Sequence, residues 1–202
     1  MLDSTRWYIR WGNIGYHLIV FHLLWFLLVL SGFFILGFFP ATAALFAVLR
    51  EMIMEDEDEP YYKLFFKKFK SEFVMANVIG YVLVAAGIIL YLDFRILQLL
   101  ENDLLQITLA SITFVVGVMY VLVLLYIFPI FSHFRLSFWT YFKYSVALAV
   151  ARPFQTIFIA AAMAIFIYIY INFPVLMMLF GLSPAAYMTT KVASRSFPKK
   201  QA

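Results

Sequence analysis

The chain alternates long apolar runs with short charged or amide-bearing interruptions. The longest runs cover residues 17–39, 73–92, 104–128 and 154–173. About 20 helical residues at 1.5 Å each reach about 30 Å, the hydrocarbon thickness of a bilayer. Each run is therefore long enough to span as a helix. A fifth stretch, 174–190, is shorter and holds Gly181, Ser183 and Pro184 in its middle. It reads as a short broken span or as a re-entrant hairpin.

The interruptions carry their own patterns. Residues 2–12 include Arg6, Trp7, Tyr8, Arg10 and Trp11, a mixture suited to the headgroup layer and to a short interfacial helix. The first span is expected to break at Pro40, because proline donates no helical hydrogen bond. A second helix, 41–54, then leaves at an angle. Glu55 to Glu59 are consecutive acids, which repel one another and predict a solvated turn. In 61–72, Leu64, Phe65 and Phe69 fall on one helical face and Lys63, Lys67 and Lys70 on another. That is a basic amphipathic helix, expected to lie flat on a membrane surface. Residues 93–103 form a polar hinge, and 130–152 a connector whose 138–151 part is apolar enough to pack on a bundle.

Charge decides between four and five spans. The 15 Lys and Arg divide seven against eight across a four-span chain, and three against twelve across a five-span chain. Basic residues collect on cytoplasmic loops, so the uneven split is the expected one. The sequence predicts an all-α, polytopic membrane helical bundle forming one domain over 1–202. It has about five transmembrane helices plus interfacial amphipathic helices, with the N-terminus outside and the C-terminus cytoplasmic.

Composition agrees: 65% of residues are hydrophobic and 13% charged, with 24 Phe. A soluble fold of this size has no means of hiding so much apolar surface. The net charge of +4 points to an anionic leaflet rather than to nucleic acid. The absence of cysteine excludes disulfides, thiol nucleophiles and Cys-ligated zinc. The first apolar run is longer than a signal-peptide core.

Candidate chemistry is sparse. His17 and His22 are about 140° apart on a helix, too far to share a metal, and His133 lies in another segment. The acidic run lacks EF-hand spacing. No phosphate-loop, dinucleotide, GxSxG or HExxH signature occurs. No cofactor, metal, catalytic residue or enzymatic role is expected. The informative polar residues are those near membrane depth, which usually face a bundle interior: Arg50, Glu72, Asn77, Arg152, Gln155 and Asn172. Arg50, Glu72 and Arg152 are able to meet at the cytoplasmic side, either as an interfacial ion pair or as a polar vestibule for a ligand or ion. Phe39-Pro40, Phe128-Pro129 and Phe173-Pro174 are each expected to close a span, which reads either as a duplicated unit or as coincidence in a Phe-rich chain.

Pro40, Ala41, Thr42, Ala43 and Ala44, followed by Leu45, Phe46 and Arg50, resemble the hallmark of the YesL family of bacterial membrane proteins. The pieces YYKLFFKKFKSEF and FPIFSHFRLSFWTYFKYSVALA resemble its later blocks. Phe38-Phe39 stands where the family commonly has a Thr-Ile-Gly type turn. The resemblance implies a bacterial cell membrane protein of unknown activity, with no assigned site residues. It also implies genetic company with oligosaccharide ABC importers. Two functions stay open: a non-enzymatic accessory of carbohydrate uptake, packed against importer subunits through small-residue patches such as 160–164, or a small autonomous transporter or channel. The bilayer is the certain partner in either case, and a homo-oligomer fits both.

Overall fold

A computed structural model describes residues 4–54, 60–100 and 102–194. The acidic run at 55–59 and the first residues of the expected interfacial helix lie outside that range. Among the described residues there are nine helices and no strand: α1 (Ser4–Ser31), α2 (Phe38–Met54), α3 (Tyr61–Ser71), α4 (Phe73–Leu97), α5 (Asp103–His133), α6 (Phe138–Ala151), α7 (Pro153–Asn172), α8 (Pro174–Phe180) and α9 (Ser183–Ser194). Four helical segments are long and apolar enough to cross a membrane: Trp11–Ser31 within α1, then α4, α5 and α7. The α8–α9 pair, bent by 67°, makes a fifth if taken as one span. The chain is a polytopic helical membrane protein.

The first run differs from its expected shape. Among the described residues there is no separate interfacial helix before the first apolar run, since α1 continues unbroken from Ser4 into it. The chain breaks at residues 32–37, where Phe33 and Phe34 take left-handed backbone angles (φ 52° and 62°). That conformation costs about 1–2 kcal/mol per non-glycine residue. Pro40 does not end a helix; it sits in the first turn of α2, where its missing N–H has no helical acceptor to lose.

The break folds α2 back antiparallel along α1. Trp25 Nε1 donates to Thr42 Oγ1 at 3.1 Å, and the Trp25 and Phe38 rings meet at 5.7 Å. Farther along, Tyr61 meets His17 and Phe21, each at 5.4 Å. The N-terminal part of α1 and the α2–α3 junction therefore lie at the same end of the bundle. The expected opposite placement, with the N-terminus across the membrane from α3, rested on a single uninterrupted first span and does not hold.

The turn itself is held by α4. The Ile35 and Leu36 carbonyls have no backbone donor, so they need donors from elsewhere. Asn77 Nδ2 donates to Leu36 O at 3.0 Å, and the Tyr81 hydroxyl to Ile35 O at 2.8 Å. From Tyr81, α4 continues to Leu97, about 24 Å further at 1.5 Å per residue. The apolar tip Gly32–Gly37 thus sits partway along α4, well short of the α4–α5 end.

Helix α2 is the centre of the molecule. Every residue from Pro40 to Leu49 is buried, with Ala41, Ala44, Leu45, Val48 and Leu49 fully so. Alanines let neighbouring backbones approach closely, and α1, α3, α4, α5 and α9 all pack on α2. The apolar face of α3 is among them: Phe65 is buried against α2 rather than lying on lipid, while Tyr62 and Phe66 remain exposed with Lys63.

Helix α5 runs through Pro129 to His133 instead of stopping at Phe128. Helix α6 occupies the 138–151 stretch expected to pack on the bundle and lies along α5. A buried bond between Tyr126 Oη and Thr156 Oγ1, 2.9 Å, ties α5 to α7. The three Phe-Pro pairs thus hold unlike positions: the first turn of α2, the interior of α5, and the start of α8. At the other end Asn102 caps α5 by accepting from Leu105 N at 3.1 Å, and Thr113 donates to Asp93.

Candidate functional site

The polar residues nearest membrane depth split into a cluster and isolated structural groups. The cluster lies where α2 ends, α3 meets α4, and α5 ends. There Arg50, Lys68, Glu72, His133 and Arg135 surround a cavity of about 80 Å³, floored by Ala43, Ala47 and Phe131.

Each group arrives for a local reason. Arg50 is the first residue after the fully buried run of α2, so its stem packs in the core and its head reaches the rim. Its Nη1 donates to Ser132 O at 2.9 Å, and Nη2 lies 3.6 Å from Glu51 Oε1. Its Nε is buried without an acceptor. Glu72 occupies the junction of α3 and α4, with its side chain only 18% exposed, and pairs with Arg135 Nη2 at 3.1 Å. Arg135 itself is 79% exposed and sits on the rim. Lys68 comes from the face of α3 that looks inward. Arginine and lysine therefore outnumber the one carboxylate lining this small hollow.

The expected meeting of Arg50 and Glu72 occurs. Arg152 is not part of it: it stands exposed at the α6–α7 junction, and its carbonyl accepts from Thr156 Oγ1 at 3.1 Å. Arg135 takes the place foreseen for Arg152, because α5 continues past Pro129 and delivers residues 132–135 to the end of α2. Gln155 is half-buried near the start of α7. Asn172 is exposed, and its Nδ2 donates to Tyr168 O at 2.8 Å within its own helix. Asn77 is buried and serves the turn described above, which makes it structural.

A second buried polar spot was less legible in the sequence. His22 lies 8% exposed against Gly181, the first of the two residues between α8 and α9, which has φ 50°. Tyr170 Oη donates to Gly181 O at 2.6 Å, and Ser183 is fully buried. These groups fix the bend. Among the described residues no group of three His, Asp or Glu is placed to hold a metal ion.

Two larger hollows are apolar and open sideways. One, about 670 Å³, lies between α4, α5 and α7 and is lined by Leu90, Phe94, Gly117, Val121 and Ala160 among others. The other, about 420 Å³, lies between α1, α7 and α9, beside Trp11, Leu18, Phe166 and Met188.

A helical membrane protein with a buried central helix, an apolar flank and one small basic cavity is the class these features define. The chain belongs to the family described as "Protein of unknown function, DUF624", whose profile matches residues 18–94, the α1–α4 region. It is 30% identical over 176 residues to the uncharacterized protein YesL of Bacillus subtilis (strain 168), covering 87% of this chain and 82% of YesL. It is 32% identical over 192 residues to the uncharacterized protein YteU of the same organism, covering 95% and 82%. YesV of that organism is 29% identical over 179 residues, covering 89% and 86%. No solved structure matches the chain.

Proposed function

We propose that this protein is a non-enzymatic accessory of the bacterial cell membrane that holds a helix of another membrane protein against its flank. The observation carrying this reading is the contrast between centre and side. The centre is filled by α2, whose residues 40–49 are all buried. The large hollows open toward lipid and are lined by apolar groups. Gly117 and Ala160 line the larger one, and a side chain added at Gly117 meets nothing within 4 Å. Small residues beside open space suit close helix approach. A conduit needs polar groups along a path; here the charged groups that line a cavity sit at one end, and both larger hollows are apolar.

The assignment of the partner to an oligosaccharide importer rests on the family resemblance alone. The basic end, with Arg50, Lys63, Lys67, Lys68, Lys70 and Arg135, is taken to face the cytoplasm, with the N-terminal end of α1 on that side too; the α4–α5 end carries Arg95 beside Asp93 and Asp103.

Gentle affinity purification of the tagged full chain tests this. Importer membrane subunits are expected to co-purify, and Gly117→Trp, which fills the groove, to release them while the protein stays folded. Solute flux through vesicles holding the protein alone, with nothing co-purified from cells, overturns it in favour of a small transporter.

A further inference from the structure

We infer that the cavity bounded by Arg50, Lys68, Glu72, His133 and Arg135 binds a phosphate group, supplied by the headgroup of an anionic phospholipid. This inference is independent of the accessory reading.

Size comes first. The cavity holds about 80 Å³, the space of roughly three waters, which suits a tetrahedral oxyanion and not a sugar or nucleotide. Charge comes second. Arg50, Lys68 and Arg135 face one carboxylate, Glu72. Arg135 is largely exposed and Arg50 also has Glu51 at 3.6 Å, yet Arg50 and Lys68 still bring partly buried positive charge to the hollow, which an anion there would offset. Donor geometry comes third. Arg50 is held rigidly, with Nη1 on Ser132 O, yet its Nε–H is buried and lacks an acceptor. Guanidinium groups match phosphate oxygens in pairs, so the unused Nε–H of this fixed arginine is a donor that suits a phosphate oxygen.

Position selects the source. The cavity opens beside α3, whose exposed face carries Lys63, Lys67 and Lys70 with Tyr62 and Phe66. Lysines mixed with exposed aromatics belong in the headgroup layer. Basic pockets between membrane helices on the cytoplasmic side are suited to lipid headgroups. A lipid phosphate reaches Arg50 from there with its acyl chains still in the bilayer. Glu72 has a defined part: with Arg135 at 3.1 Å it occupies one donor, and it competes with the ligand.

The full-length protein in phosphatidylcholine nanodiscs is titrated with phosphatidylglycerol, and the detergent-solubilised protein with inorganic phosphate, reading thermal stability and native mass. Saturable phosphatidylglycerol binding is expected. Arg50→Gln and the rim variant Lys68→Gln/Arg135→Gln should each weaken it at least about tenfold. Glu72→Gln should tighten it, a gain that loss of a merely structural ion pair does not produce. Lys63→Gln/Lys70→Gln, which removes equal charge from the exposed face, should leave saturable binding intact. If Arg50→Gln fails to fold, the rim and Glu72 variants still decide. Binding of inorganic phosphate alone, with the same variant pattern, keeps the phosphate chemistry and overturns the lipid source. Binding unchanged by the rim variant and Glu72→Gln, or weakened equally by Lys63→Gln/Lys70→Gln, overturns the site.

Discussion

The ring of Tyr61, the first residue of α3, stands edge-on to the ring of Phe21 on α1, their centroids 5.4 Å apart. This contact is possible only because α2 returns along α1. It fixes the N-terminal part of α1 and helix α3 to one end of the bundle.

Single cysteines in this Cys-free chain test that arrangement with a membrane-impermeant thiol reagent. Asn13→Cys and Tyr62→Cys should behave alike, protected in intact cells and labelled after permeabilisation. Asn102→Cys, at the α4–α5 end, should label in intact cells. Ile35→Cys, at the apolar tip beside Tyr81, should stay unlabelled in both. Labelling of Asn13→Cys but not Tyr62→Cys in intact cells would separate the two ends.

Asn77 supplies the turn with its donor. Asn77→Leu removes the bonds to Leu36 O and Phe73 O and strands the Leu36 carbonyl. The expected loss is about 1–2 kcal/mol of stability, measured by denaturant titration in mild detergent. Tyr81→Phe, which removes a bond on an exposed side chain, should cost less.

Gly80 gives α4 its close approach to the start of α2. A Cβ there would overlap the ring of Phe39. Gly80→Ala should destabilise by about 1–3 kcal/mol, the usual scale of overpacking. Adding Phe39→Leu should recover part of that loss, and the coupling between the two changes is the decisive number. Strict additivity would mean that the ring moves aside freely.

The sequence conveyed these elements unevenly. Helix α3 was legible because its lysine and aromatic positions alternate with helical period, and the place of α6 because 138–151 is apolar enough to pack on a bundle. The break after α1 was not. Its real markers are Gly32 and Gly37 around four apolar residues, and phenylalanine is a poor candidate for left-handed backbone. Pro40 looked like a stop because proline ends helices and begins them equally well. That one ambiguity reversed the placement of the N-terminus. In the cavity, Arg50 and Glu72 were recoverable from their position at span ends. Arg135 was not, since Pro129 suggested that α5 stops before reaching the cluster. Gly181 and His22 meet only through the bend between α8 and α9, a tertiary relation that no spacing encodes.

The seclusion of α2 bears on how the protein is made. A ribosome releases α2 long before α4, α5 and α9, the helices that cover it, have been synthesised. During that interval α1 and α3 are its only shelter, so these first helices must associate early. Ala186, from the last described helix, joins the cluster containing Ala41, Ala44 and Leu45. The nascent chain therefore keeps one flank of its innermost helix bare until α9 has been made, a window in which proteases can tell an uncovered core helix from a covered one.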